Sequence, residues 1–228
     1  MSTNENDRHG AKAATMTLPE GYGRRAAGED PAKREQILDG ARRVFLRDGF
    51  DGASMNEITR EAGVSKGTIY VYFDSKEDLF AALIDRQRSR VVETVRNALH
   101  NHDAIEDALY SFGTKLTMHL VSEQTIRSMR TVLGVIDRMP KLADRFFSTT
   151  AANGVSVLTE YLDKQVAEGR LAIDDTDLAA RQFIEMSMAG LFKRCLFGNL
   201  PEPKSVEEIA PIVKSAVRVF LAGYRPEL

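Results

Sequence analysis

The chain has 228 residues, 43% hydrophobic and 28% charged, enough apolar surface for a folded core, and its formal charge of −2 excludes a nucleic-acid partner held by bulk positive charge. Any DNA-facing surface must be a local patch of Lys and Arg, which screening over roughly 8 Å allows. The lone Cys195 permits no intrachain disulfide or cysteine metal site. With no signal-peptide core and no run of about 18 apolar residues, a cytoplasmic protein without a membrane partner is expected.

Residues 1–29 are polar and Gly-dotted, and a flexible N-terminal arm is expected there. Arg24 and Arg25 within it are minor-groove candidates, set against the simpler reading of a solvated tail. Asp30-Pro31 then supplies a cap and a residue with no N–H to lose, so a helix starts here. Ile37, Leu38, Ala41, Val44 and Phe45 form its apolar stripe, and Gly49 ends it. Ser54 and Glu57 have the spacing of a capping box, opening a second helix that turns Met55, Ile58 and Ala62 inward and stops at Gly63. Ser65 caps a third helix, Lys66 to about Tyr72. Asp74-Ser75 opens a fourth, Lys76 to about Leu99. Beyond His100, helices are expected at roughly 103–121, 123–138, 141–168, 175–197 and 205–223, with no period-2 strand pattern.

The segment Ser54 to Phe73 fits a helix-turn-helix. Ala62 allows close helix approach, Gly63 makes the turn, and Val64 plugs the angle between the helices. In the helix that follows, Ile69 and Phe73 point inward, while Lys66, Gly67, Thr68, Tyr70 and Tyr72 can point out. Hydroxyls and an ammonium suit phosphate oxygens, and a glycine lets the helix backbone come close to DNA. The plainer alternative is a surface helix with two exposed tyrosines.

Asn56-Glu57-Ile58, the run Ala62-Gly63-Val64-Ser65-Lys66-Gly67-Thr68-Ile69-Tyr70-Val71-Tyr72-Phe73 and Ser75-Lys76-Glu77-Asp78-Leu79 closely resemble the tetracycline-repressor-like (TetR) regulators, over about residues 33–80. The resemblance implies an all-α chain: a three-helix DNA-binding domain with the helix-turn-helix, then a larger helical ligand-binding and dimerisation domain. It also implies a homodimer on a near-palindromic double-stranded operator, usually a repressor, released by a small-molecule effector. On the matching positions, Ser54, Ser65, Lys66, Gly67, Thr68, Tyr70, Tyr72 and Lys76 would contact DNA. Thr68 and Lys66 are the base-edge candidates, the tyrosines and Lys76 the backbone contacts. Met139 to Phe146, and Ala180 to Arg194, are similar to the sensing domain of the AefR-like subset.

Expected bounds are thus an arm at 1–29, a DNA-binding domain at 30–76 and an effector-binding and dimerisation domain at 77–228. No phosphate loop, nucleophile motif or metal-ligand spacing is present, so neither an enzyme nor a cofactor is expected. His100-Asn101-His102-Asp103 reads as an exposed turn rather than a metal site. Candidate effector contacts, for a partly apolar molecule, are Phe112, Met118, His119, Arg127, Arg130, Phe147, Asn153, Phe183 and Met186, with Tyr161 a further polar anchor, although packing is the commoner role for each. The last two long helices carry more apolar positions than one face needs, among them Leu178, Phe183, Met186, Val213 and Phe220. They form the expected dimer interface, unless they only close the monomer core. Two other functions stay open: a ligand-independent activator, and a helical ligand-binding protein whose first domain meets protein partners.

Overall fold

The computed structural model describes residues 30–137, 153–198 and 205–226. Helix α1 spans Pro31–Gly52, and the Asp30 carboxylate accepts from the backbone N–H groups of Ala32 and Lys33 at 3.0 and 3.4 Å. Gly49, expected to end α1, instead breaks it internally at φ 72°, and the helix resumes to Gly52. The turn that follows stacks Phe50 on Phe45, centroids 5.7 Å apart, and sets it edge-on to Phe80 at 5.3 Å.

Helix α2, Met55–Ala62, opens on the Ser54–Glu57 capping box and closes on left-handed Gly63. Its contact with α1 is tight because Gly40 faces Ala62. The carbonyl ends of α2 are then held from α1: Gln36 Nε2 donates to Ala62 O at 2.7 Å, and Arg43 donates to both Glu61 Oε1 and Glu61 O. Helices α3, Lys66–Tyr72, and α4, Lys76–His100, start at Ser65 and Ser75, whose hydroxyls accept from Thr68 and Asp78 N–H.

The remaining described helices are α5 (Ile105–Leu120), α6 (Glu123–Val135), α7 (Gly154–Ala167), α8 (Thr176–Met188), α9 (Leu191–Leu196) and α10 (Val206–Tyr224). Two expectations need correction. The helix predicted over 141–168 does not run through Asn153, which is extended and caps α7; residues 141–152 lie outside the described residues. The helix predicted over 175–197 is two helices, because Ala189 (φ 41°) and Gly190 (φ 80°) are left-handed. The strain at Ala189, about 1–2 kcal/mol, is offset by tertiary contacts: redirected α9 buries Cys195, and Arg130 donates to the carbonyls of Cys195 and Leu196 at 2.6 and 2.8 Å.

Two apolar clusters organise these helices. One joins Ile37, Leu38, Val44, Ile58, Ile69 and Leu79; the other gathers around Phe112, Leu158, Phe183 and Phe220. Helix α4 serves both, with Leu79 to Ala82 in the first and Val95, Ala98 and Leu99 in the second. The expected boundary at 76 therefore falls at the start of a shared helix. Val132 and Val135 of α6 belong to the first cluster, not the second. Burying such side chains is worth about 1.5–3 kcal/mol each, so α6 is fastened to the N-terminal core.

Candidate nucleic-acid interface and sensing cavity

Ile69 is fully buried and Phe73 nearly so, which anchors α3 and turns its other face out. That face carries exposed Lys66, Gly67, Tyr70 and Val71. Ser65 Oγ accepts from Thr68 N at 3.0 Å and lies 2.7 Å from Thr68 Oγ1, so the two hydroxyl residues are pre-arranged at the helix N-terminus. A Cβ on Gly67 would meet nothing nearer than Ser65 Oγ at 3.8 Å. The fold itself does not require glycine there, whereas close approach of another backbone does. Val71, 50% exposed, is an outward residue that the sequence reading missed. Its position four residues after Gly67, on the same helix face, was the available signal.

Besides Ser65 and Thr68, which bond to each other, three of the predicted contacts have internal partners. Ser54 Oγ donates to Glu57 Oε2 at 2.8 Å and caps α2. Tyr72 is half-buried, and its Oη accepts from Asp30 N at 3.3 Å. Lys76 Nζ donates to the carbonyls of Phe50 and Ala53 at 3.0 and 3.2 Å and sits 4.7 Å from the Phe50 ring centroid. Its ammonium, expected on a phosphate, is turned onto the carbonyls that close α1. Arg24 and Arg25 lie outside the described residues.

A cavity of about 480 Å³ opens where α1, α4, α5, α6 and the start of α7 meet. Phe45 and Leu46 of α1, Leu83 and Ile84 of α4, and Leu116 and Leu120 of α5 make much of its apolar wall. It therefore borders the N-terminal cluster and the C-terminal helices together.

Residues 37–83 match the family model described as bacterial regulatory proteins, tetR family, and residues 107–226 match that of the AefR-like transcriptional repressor, C-terminal domain. The chain belongs to the TetR family. The HTH-type transcriptional repressor AcnR of Corynebacterium glutamicum is 28% identical over 199 residues, covering 85% of this chain and 97% of AcnR. The HTH-type transcriptional regulator SrpR of Pseudomonas putida is 28% identical over 211 residues, covering 89% and 90%. A solved TetR-family regulator from Mesorhizobium loti has a TM-score of 0.78 at 26% identity, covering 86% of this chain and 98% of its own. The flavonoid-responsive regulator FrrA has a TM-score of 0.72 at 26% identity, covering 87% and 100%. This TetR-family chain is a DNA-binding transcriptional regulator, and repression is the output named for its C-terminal domain and for AcnR.

The sensing candidates of this TetR regulator divide sharply. His119, Arg127, Arg130 and Asn153 line the cavity. Phe112 and Phe183 do not: both are fully buried, with centroids 6.3 Å apart, and Phe183 packs edge-on against Phe220 at 5.2 Å. Met118 and Met186 pack against the same C-terminal core, and buried Tyr161 belongs to it. An apolar stripe on a helix cannot distinguish a cavity wall from a core, and here the core took them. Phe147 lies outside the described residues. Desolvation holds the His119 imidazole below its ordinary pKa, with Nε2 3.4 Å from Thr125 Oγ1. The α1 contribution from Arg42, Phe45 and Leu46 was missed, since it depends on contacts with α4, α5 and α6, all distant in sequence.

The apolar surplus of the last long helices is also mostly internal, because Phe183, Met188, Ile209, Val213, Phe220 and Leu221 are buried within one protomer. Leu178, Val206 and Val219 remain exposed. His102 and Asp103 lie in the exposed turn between α4 and α5. Among the described residues, no group of three or more His, Cys, Asp or Glu side chains is placed to hold a metal ion, and no helix is long and apolar enough to cross a membrane.

Proposed function

We propose that this TetR-family regulator works as a cytoplasmic homodimer that represses by seating α3 of each protomer in the major groove of a near-palindromic operator. A small molecule in the cavity then releases it. Ser65, Lys66, Gly67, Thr68 and Tyr70 face the DNA, with Thr68 and Lys66 at base edges and Tyr70 on the backbone. Ser54, Tyr72 and Lys76 act from behind, by holding the ends of α1, α2 and α3. Dimerisation uses the packed pair α8 and α10, with Leu178 and Val219 on the outward surface.

The observation that carries the release step is the double allegiance of α6. It lines the cavity through Thr125, Met129 and Arg130, and it fills the N-terminal core through Val132 and Val135. A ligand that fits only one position of α6 biases the position of α1 and hence of α3, and such a bias requires different affinity for the two states. The test is a mobility-shift assay on duplexes that the purified protein selects from a random library, with sedimentation of the free protein. Dimers that retard an inverted repeat support the reading. A monomer at micromolar concentration, or no selected duplex, contradicts it.

A further inference from the structure

The cavity wall is apolar but not neutral. Arg42, Arg86, Arg88, Arg127 and Arg130 line it, and no Asp or Glu is among its described lining residues. Their surroundings differ. Arg127 is matched by Glu123 at 2.5 Å. Arg130 is turned onto two backbone carbonyls, acceptors that leave its charge uncompensated. Arg42 is exposed at the cavity mouth. Arg86 is the buried member, its side chain 10% exposed, and its Nη1 lies 2.9 Å from Glu35 Oε2 and 2.9 Å from Asp39 Oδ1. Those two carboxylates stand on α1 and are 47% and 57% exposed. His119, kept neutral by burial, adds hydrogen-bonding atoms to the wall but no charge at neutral pH.

We propose that the cavity takes an aliphatic carboxylate whose chain lies against Leu46, Leu83, Ile84, Leu116 and Leu120 and whose head group competes with Glu35 and Asp39 for Arg86. This deepens the effector-released reading, on which it rests, by naming the effector class. The volume sits within the roughly 300–1,000 Å³ of small-molecule sites. The aliphatic wall gives a hydrocarbon chain its contact, and the arginines, with no Asp or Glu among the described lining residues, favour an anion over a neutral or cationic head, although Glu35, Asp39 and Glu123 compensate two of them from outside the wall. A guanidinium has five donors, so a third carboxylate can reach Arg86 before the first two leave. Because Nη1 already donates to both Glu35 and Asp39, the incoming carboxylate takes the remaining N–H groups, and repulsion between like charges around one guanidinium then weakens the tie between α4 and α1. Binding energy from the chain thereby opposes the ion pairs that hold α1 in place.

The test titrates the full-length protein with dodecanoate and with dodecan-1-ol, each below its micellar concentration, by calorimetry. Dodecanoate should bind saturably and about tenfold or more tightly than the alcohol, the scale expected for a charge-assisted pair in a partly buried site. Glu35→Gln removes a competitor and should tighten dodecanoate severalfold without affecting the alcohol, a result that a purely structural ion pair does not produce. Arg86→Gln should bring dodecanoate down to the level of the alcohol. Equal affinity for acid and alcohol, or an E35Q variant with unchanged dodecanoate affinity, overturns the proposal. A wild-type protein that binds its selected duplex and ignores dodecanoate overturns it alone. A protein that binds dodecanoate with this pattern but binds no duplex leaves the carboxylate site standing and overturns the regulatory reading instead.

Discussion

Gly40 of α1 and Ala62 of α2 approach so closely that a Cβ on Gly40 would lie 2.7 Å from the Ala62 Cα. Neither neighbour can yield, because the atoms in the way are backbone and Cβ. The crossing of α1 over α2 is fixed here, and the attitude of α3 follows from it. Gly40→Ala should destabilise the fold by about 1–3 kcal/mol, the usual cost of overpacking, read as a lower urea midpoint. An unchanged midpoint would show that α1 and α2 can separate without penalty.

Lys76 makes a second, distinguishable prediction. Its ammonium is bonded to the Phe50 and Ala53 carbonyls, so Lys76→Met should lose about 1.5–3 kcal/mol of stability in the absence of DNA. If Lys76 acted only as a phosphate contact, the variant would melt like the parent and show a shallower salt dependence of binding.

His119 gives the expected pH response. Burial lowers its folded-state pKa from the ordinary 6.5, so the unfolded chain takes up the proton first as pH falls. Stability from this group is complete above 6.5 and declines as pH drops through that value toward the lower folded pKa. His119→Gln should flatten that part of the stability profile in urea titrations at stepped pH. A parallel profile for variant and parent would remove His119 as the source.

Lys66 is exposed at the start of α3 and should act through phosphate or base-edge contact without a structural role. Lys66→Ala should leave the melting temperature unchanged and lower the salt slope of DNA binding by about 1 if the contact is to phosphate. A shifted melting temperature would mark the residue as structural.

What the sequence disclosed and what it hid separate by range. Asp30, Ser54 with Glu57, Gly63, Ser65 and Ser75 all do what local chemistry says, because a cap acts within three or four residues of itself. Ala189 escaped notice because an alanine in the left-handed region is stabilised only by where α9 packs. Phe112 and Phe183 looked equally suited to a cavity and to a core, since both roles use the same apolar periodicity. The resemblance places Lys76 on DNA, and its bonds to carbonyls 23 and 26 residues away are an internal role that no local pattern shows. Arg86 gave no signal at all: its partners Glu35 and Asp39 are about 50 residues earlier, on another helix.

Gly67 decides whether α3 lies on DNA, because the fold has room for a side chain there and a DNA backbone would not. The measurement is fluorescence anisotropy of the full-length protein on its selected duplex, for Gly67→Ala beside the parent, with thermal melting of both. Equal melting is expected, with binding weakened about tenfold or more, a loss of about 1.4 kcal/mol or more. Equal melting with undiminished binding would contradict the placement of α3 on DNA.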